Sequence, residues 1–103
     1  MVDVSKKMAR AKRWVFTLNN YTDQEVEQLK LLECEYLVFG YETAPETGTP
    51  HLQGYMTFTS RKTMPTLKRL LNDRYYFSVS RGSVAEASEY CKKGGSYYEN
   101  QQV

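Results

Sequence analysis

Residues 36–42, which read YLVFGYE, are apolar on both faces and constrain the fold more than any other segment of the chain. Successive side chains of a strand point to opposite faces, so a strand without a polar face belongs inside a sheet that is covered on both sides. Residues 13–19, RWVFTLN, alternate strictly instead, with Trp14 and Phe16 on the same face. That alternation is typical of a strand with one buried face.

Two further strands are predicted at residues 51–59, HLQGYMTFT, and at residues 75–80, YYFSVS. Residues 43–50, between the second and third strands, contain Pro45 and Gly48, which favour a hairpin loop. The second and third strands are therefore expected to pair directly with each other.

Three helices are predicted between and after these strands. A T-x-x-E capping box at Thr22 and Glu25 begins the first helix, and a short second helix spans about residues 65–71. An S-x-x-E box at Ser83 and Glu86 begins the third helix, which a pair of glycines ends.

The order β-α-β-β-α-β-α favours the α+β class, a ferredoxin-like or RRM-like sandwich in which helices pack on a central antiparallel sheet. We expect the helices to lie on one face of that sheet. The 103 residues allow a single domain. It is predicted at residues 13–95, between a basic N-terminal tail at 1–12 and an irregular tail at 96–103.

The formal net charge of +2 conceals an uneven distribution. Residues 1–13 carry five basic side chains and one acidic side chain. Residues 14–50 carry one basic and seven acidic side chains, and residues 51–103 carry eight basic and four acidic side chains. Two basic regions thus flank an acidic one. The pattern permits binding of a polyanion on one face, but an ordinary mixed surface explains it equally well.

Composition argues against several classes of protein. The sequence has no run of about 18 apolar residues, so no membrane-spanning helix is predicted. It also lacks the apolar segment of a secretion signal near the N-terminus. Cys34 and Cys91 are too few for a disulfide framework, and we interpret them as reduced, intracellular thiols.

His51 and Gln53 are two residues apart in the predicted third strand, so their side chains share one face. Glu42 ends the second strand and should lie beside His51 across the hairpin, while Glu46 in the loop is a weaker candidate. One carboxylate, one imidazole and one amide form a donor set that suits Mg²⁺ or Mn²⁺. The alternative is a strand histidine that only packs or forms hydrogen bonds.

Tyr90 and Lys93 are three residues apart near the end of the third predicted helix, so both project from one face. A phenol is a poor nucleophile at neutral pH, but a nearby ammonium and a divalent cation can compensate for this. The pair could therefore serve a transesterification site. Alternatively, Tyr90 is a core residue on the apolar face of the helix.

Three segments, WVFTLNN, TPHLQGYMTF and EYCKKGG, resemble in order and spacing the signature motifs of replication-initiator (Rep) proteins of circular single-stranded DNA viruses. These proteins belong to the HUH endonuclease superfamily. The resemblance is closest to circovirus-type and nanovirus-type Reps, whose second motif has Gln in the place of a second His. It extends from about residue 13 to residue 95.

The resemblance implies roles for individual residues. Tyr90 would be the nucleophile, Lys93 would assist it, and Glu42, His51 and Gln53 would be ligands of Mn²⁺ or Mg²⁺. The first motif would contribute to DNA recognition and to the integrity of the fold through Phe16, Thr17, Leu18, Asn19 and Asn20. Basic side chains elsewhere are candidate contacts to DNA phosphates, namely Lys12, Arg13, Arg61, Lys62, Lys68, Arg69, Arg74, Arg81 and Lys92.

The implied activity is metal-dependent, sequence-specific nicking and joining of single-stranded DNA at an origin stem-loop through a 5′-phosphotyrosine, which initiates rolling-circle replication. The resemblance also implies the host nucleus as the location, host replication proteins as partners, self-association of the full-length protein and a helicase domain after this one. Two other interpretations are a non-catalytic module that binds single-stranded nucleic acid and a purely structural interaction domain. Neither accounts for all three motifs.

Overall fold

Residues 9–101, which the computed structural model describes, form a five-stranded sheet with three helices packed on it. Residues 1–8 of the predicted basic tail, and residues 102–103, lie outside the described part of the chain. In chain order the elements are β1 (Arg10–Asn19), α1 (Asp23–Lys30), β2 (Tyr36–Thr43), β3 (Pro50–Thr63), α2 (Met64–Leu70), β4 (Tyr76–Val79), α3 (Val84–Lys92) and β5 (Tyr97–Gln101).

The predicted α+β, ferredoxin-like class is confirmed, and the four strands and three helices occur in the predicted order. Both capping boxes are present, one at the start of α1 and one at the start of α3. β1 begins at Arg10 rather than at Arg13, so Lys12 belongs to a strand and not to a tail. No helix within residues 9–101 is both long and apolar enough to cross a membrane.

Most of the segment predicted as an irregular tail at 96–103 is a strand, so that prediction is wrong for residues 97–101. β5 pairs antiparallel with β2 at the edge of the sheet. Tyr98 stacks on Phe39 with the ring centroids 5.2 Å apart, and Glu99 accepts a hydrogen bond from the hydroxyl of Tyr36. These partners are distant in sequence, which is why local periodicity gives no sign of the strand.

The strand order is β4-β1-β3-β2-β5, and all neighbouring strands are antiparallel. β2 and β3 form the predicted hairpin. Its register pairs Glu42 with His51 and Gly40 with Gln53. One face of the sheet therefore carries these four residues as two adjacent pairs.

The two faces of the sheet have separate cores. Trp14, Phe16 and Leu18 belong to the main core, together with residues of α1 and α2. A smaller cluster of Val38 and Cys91, with one buried tyrosine, lies on the opposite face beneath α3. The expectation that all helices share one face is therefore wrong for α3. The physical reason is that β2 is apolar on both faces and needs cover on each of them.

Glu25 and Arg74 connect the start of α1 to the loop before β4. Arg74 donates from Nε to Oε2 of Glu25 at 2.9 Å and from Nη2 to Oε1 at 3.0 Å, and Asn72 donates a further hydrogen bond to Oε2. Nη2 of Arg74 also donates to the carbonyl oxygens of Asn19 and Asn20, each at 2.9 Å. Arg74 thus links the start of α1 and the end of β1 to the loop before β4. Its charge is paired with Glu25 and is not free for the DNA contact predicted for it.

Replacing Glu25 with glutamine is expected to lower the free energy of unfolding by about 2 kcal/mol near neutral pH. The hydrogen bonds from Arg74 lower the pKa of Glu25 from 4.5 to about 2. Its stabilising effect is therefore complete above pH 4.5 and is lost as the pH falls towards 2. Urea unfolding at about pH 7 and about pH 3 tests this, because the difference between wild type and variant should shrink in acid.

Glu27 on the exposed face of the same helix provides the control for this prediction, since its side chain is 72 % exposed. Glu27→Gln should change the free energy of unfolding by about 0.5 kcal/mol or less at either pH. A Glu25→Gln effect that is the same at both pH values would contradict the ion-pair explanation.

Candidate active site

Glu42 and His51 face each other across the β2–β3 hairpin, as their register requires. Nε2 of His51 lies 3.3 Å from Oε1 of Glu42, and each side chain is 18 % exposed. Gln53 follows on the same face of β3, two residues after His51. The structure thus brings the three predicted metal ligands together in one patch of the sheet, which we call the ligand patch.

Gln53 is held in place by the neighbouring strand β1. Oγ1 of Thr17 donates a hydrogen bond to Oε1 of Gln53 at 3.2 Å, and Nε2 of Gln53 donates to the carbonyl oxygen of Phe16 at 3.4 Å. These bonds fix the direction of the amide group. Thr17, predicted to contribute to DNA recognition and to the integrity of the fold, therefore also orients a candidate ligand, a role that only the pairing of β1 with β3 shows.

Tyr90 and Lys93 approach the ligand patch from the last turn of α3. Nζ of Lys93 lies 3.0 Å from Oε2 of Glu42 and 3.8 Å from the centroid of the Tyr90 ring. Tyr90 is 54 % exposed, so the alternative that it is a core residue is wrong. Cys91 occupies the buried position of this turn instead, and burial raises the pKa of its thiol to about 12.

The charge of Lys93 is set by two opposing effects. Desolvation lowers the pKa of Lys93, but the hydrogen bond to Glu42 and the negative charge of that carboxylate outweigh it, so the pKa is raised above its ordinary value. Lys93 is therefore a cation throughout the neutral pH range. Its ammonium group adjoins both the ring of Tyr90 and the carboxylate of Glu42, which suits stabilisation of a phenolate.

The donors of the ligand patch fit a hard divalent cation. A carboxylate, an imidazole and an amide oxygen suit Mg²⁺ or Mn²⁺, whereas structural zinc prefers four cysteine or histidine ligands. Within residues 9–101, no group of three or more His, Cys, Asp and Glu side chains is arranged as a metal site. The patch has only two such side chains, Glu42 and His51, and its third donor is the amide of Gln53. The carboxylate of Glu42 already pairs with one cation, the ammonium group of Lys93.

An open groove of about 490 Å³ lies beside Tyr90. Its lining includes Val15 and Gln53 from the sheet, Ser78 from β4 and Arg81 from the loop before α3. The groove extends from β4, at the edge of the sheet, to Gln53 of the ligand patch, and its charged lining residues are Arg81 and Glu86. The groove is open and adjoins the tyrosine, so a flexible chain can lie next to Tyr90.

Residues 11–94 match the family described as "Putative viral replication protein". The chain belongs to this family of viral replication (Rep) proteins. It is 45 % identical over 94 residues to the replication-associated protein of Beak and feather disease virus, an alignment that covers 88 % of this chain and 32 % of that protein. The resemblance to Rep proteins that the three motifs suggest is thereby confirmed.

Other Rep proteins are similar over the same region. The replication-associated protein of Porcine circovirus 2 is 35 % identical over 100 residues, which cover 89 % of this chain and 32 % of that protein. Para-Rep C2 of Subterranean clover stunt C2 alphasatellite is 38 % identical over 87 residues, covering 81 % and 31 %. The chain spans about a third of the length of these relatives.

The first Rep motif has two structural parts. Phe16 and Leu18 are 1 % and 0 % exposed in the main core, which agrees with the expected role in fold integrity, whereas the predicted direct contact of these two side chains with DNA is wrong. Thr17 and Asn19 point to the opposite face, which carries the ligand patch. Asn20 adopts a positive φ of 51°, which asparagine tolerates better than most residues, and its N–H donates to the carbonyl oxygen of Pro50.

The predicted basic contacts do not form one surface. Arg81 lines the groove beside Tyr90, and Lys12 and Arg13 are exposed on β1. Lys92 is engaged by Glu99, with Nζ 2.8 Å from Oε2. Arg61 and Lys62 lie near the C-terminal end of β3, the opposite end from His51, and so are far from the ligand patch. Lys68 and Arg69 belong to α2, on the side of the main core.

Proposed function

We propose that this chain is the nuclease domain of a viral replication initiator, which nicks and joins single-stranded DNA through Tyr90. The observation that carries the proposal is the convergence of Tyr90 and Lys93 on Glu42, His51 and Gln53. A nucleophile, a cation and a hard-metal donor set lie together beside a groove. Membership of the Rep family supports the same conclusion.

In the proposed reaction, Oη of Tyr90 attacks the scissile phosphorus and loses its proton. The bond from phosphorus to the 3′-oxygen breaks, and that oxygen takes up a proton to become a free 3′-hydroxyl. The product is a 5′-phosphotyrosine, and attack by a 3′-hydroxyl on this linkage reverses the step and joins the strand. One phosphodiester replaces another, so no nucleotide hydrolysis is needed.

The residues around Tyr90 would serve this reaction in different ways. Glu42, His51 and Gln53 would hold Mn²⁺ or Mg²⁺, and such a cation, when bound, polarises a phosphate and stabilises the charge that develops on it. Lys93 would stabilise the phenolate of Tyr90, because its ammonium lies against the tyrosine ring. Arg81, which lines the groove together with Glu86, would contact a phosphate of the DNA backbone.

Lys93 also competes with a metal ion for Glu42, and this predicts two opposite effects of one substitution. Lys93→Gln is expected to raise the affinity for Mn²⁺ about threefold, because a charged partner of the carboxylate is removed. It should also lower the rate of covalent attachment at saturating Mn²⁺ about tenfold, because the phenolate loses its cation. Calorimetric titration with Mn²⁺ and single-turnover kinetics measure the two quantities.

Lys92→Gln is the matched control for the metal titration, since Lys92 is paired with Glu99 rather than with Glu42. It should leave the affinity for Mn²⁺ unchanged. If Lys93→Gln weakens Mn²⁺ binding, the competition between ammonium and metal is refuted.

The test of the proposed function is formation of a covalent protein–DNA adduct. The chain is incubated with single-stranded DNA that carries the stem-loop of a candidate viral origin, once with Mn²⁺ and once with EDTA. We expect a nicked strand and an adduct only with Mn²⁺, and mass spectrometry should place the nucleotide on Tyr90. Tight binding without any adduct on a panel of origins would instead favour a non-catalytic binding module.

Origin recognition, initiation of rolling-circle replication in the host nucleus and contact with host replication proteins form the wider part of this proposal. They concern the whole Rep protein, of which this chain corresponds to about a third in its relatives. Family membership supports them, and the nicking assay addresses the first of them directly.

A further inference from the structure

Gly40 lies on the face of the sheet that carries the ligand patch, but it has no side chain there. It pairs with Gln53 across the hairpin and precedes Glu42 by two residues on the same face. The last turn of α3 fills the space that a side chain would occupy. A β-carbon at Gly40 would lie 2.1 Å from the carbonyl oxygen of Cys91 and 3.3 Å from its carbonyl carbon.

A side chain at Gly40 would meet main-chain atoms of Cys91, so the helix itself would have to move. A flexible side chain could rotate away from a new methyl group, but the carbonyl of Cys91 can move only with its turn of helix. Ordinary contact with a β-carbon begins near 3.4 Å, so alanine at this position requires α3 to move outward by more than about 1 Å. A glycine inside a strand often marks such a close approach of another backbone.

The turn that rests on Gly40 carries the reactive groups. Tyr90 directly precedes Cys91, and Lys93 follows it by two residues. The N–H of Tyr41 donates to the carbonyl oxygen of Ser96 at 2.9 Å, so the chain beyond the helix is also attached to β2 here. Any outward shift of the Cys91 carbonyl therefore carries both neighbours away from the sheet.

We propose that Gly40 is a positioning residue for the nucleophile. Because Gly40 has no side chain, the last turn of α3 can pack directly against the sheet. This close packing determines the distance of Tyr90 and Lys93 from the ligand patch. This inference rests on the function proposed above. The inference adds Gly40 of β2 to the residues that serve the reaction. Gly40 contacts neither metal nor DNA, but it determines how close Tyr90 lies to both.

Two other glycines show that this contact is particular to Gly40. A β-carbon at Gly54 would meet the ring of Phe16 in the main core, with 2.0 Å to its Cζ, so that site concerns side-chain packing on the other face. A β-carbon at Gly94 would meet nothing within 4 Å. Gly94→Ala is therefore a matched control, with the same substitution made next to Lys93.

Steady-state kinetics of strand nicking and joining by the full chain test the proposal. We expect Gly40→Ala to lower kcat about 100-fold, because the nucleophile is displaced by more than about 1 Å. The KM for DNA and the affinity for Mn²⁺ should stay within about threefold, because the DNA-facing strands and the metal donors belong to the sheet. Gly94→Ala should keep the wild-type kcat.

The thiol of Cys91 reports the displacement independently of nuclease activity. It is 2 % exposed, and Cys34→Ser removes the other thiol. In that background, Gly40→Ala should increase the rate of labelling by a thiol reagent about tenfold, because the turn lies further from the sheet. If the wild type forms no adduct, the proposed function fails, while the labelling rate still tests the packing claim.

A wild-type kcat in Gly40→Ala, or an equal loss in Gly94→Ala, would overturn the proposal. Should Gly40→Ala fail to fold, Cys91→Leu provides a second way to displace the same turn. The larger side chain of leucine beneath α3 pushes that turn away from the sheet. That variant must also lose kcat with KM retained. A folded Cys91→Leu protein with wild-type kcat would then refute the positioning role.

Discussion

Replacing Tyr90 with phenylalanine is expected to abolish the covalent protein–DNA adduct and to lower strand cleavage at least about 1,000-fold. The substitution removes only the attacking oxygen. The ring that Lys93 contacts remains, so the geometry of the last turn of α3 should be preserved. Affinity for single-stranded DNA should stay within about twofold of wild type, because no strand of the sheet changes.

Tyr97→Phe is the control for this experiment, because Tyr97 is also well exposed, at 45 %, and also adjoins a lysine. It should form the adduct at the wild-type rate. A denaturing gel with labelled DNA separates the outcomes. An adduct that persists in Tyr90→Phe would show that another group attacks the phosphate.

Replacing Glu42 with glutamine should have the largest effect on metal binding, a loss of about 100-fold in Mn²⁺ affinity. The carboxylate is the one negatively charged donor of the ligand patch. An amide of the same shape keeps an oxygen ligand but loses the charge that attracts the metal. Isothermal titration with Mn²⁺ measures the effect without reference to catalysis.

Glu46→Gln is the matched control, since Glu46 lies exposed in the loop of the same hairpin. The same loss of one negative charge there should change Mn²⁺ affinity by less than about twofold. Equal effects at Glu42 and Glu46 would mean that the metal responds only to the general charge of the hairpin. The ligand assignment would then be wrong.

The local patterns of the sequence predict most of the framework. Both capping boxes, the alternation of β1 and the hairpin between β2 and β3 depend on residues close together in the chain. The pairing of Glu42 with His51 follows from that hairpin, since a short loop restricts the register. These features are short-range, so a single sequence contains the information needed to predict them.

The candidate site requires more than local pattern. Spacing puts Tyr90 and Lys93 on one helix face, but helical periodicity alone leaves open whether Tyr90 lies in the core. The resemblance to Rep motifs, rather than periodicity, favours the catalytic interpretation. Periodicity also gives no role to Gly40, although a glycine within YLVFGYE is a signal that another backbone approaches there.

By itself, the sequence determined the fold class, the order of the elements from β1 to α3 and the hairpin that pairs Glu42 with His51. Only the tertiary structure decided that α3 crosses to the second face, that Lys93 reaches Glu42 and that β5 completes the sheet. It also showed that Phe16 and Leu18 are buried. The reason is physical: hydrogen-bonded turns and side-chain alternation act within a few residues, whereas the face on which a helix packs depends on apolar surface contributed by distant strands.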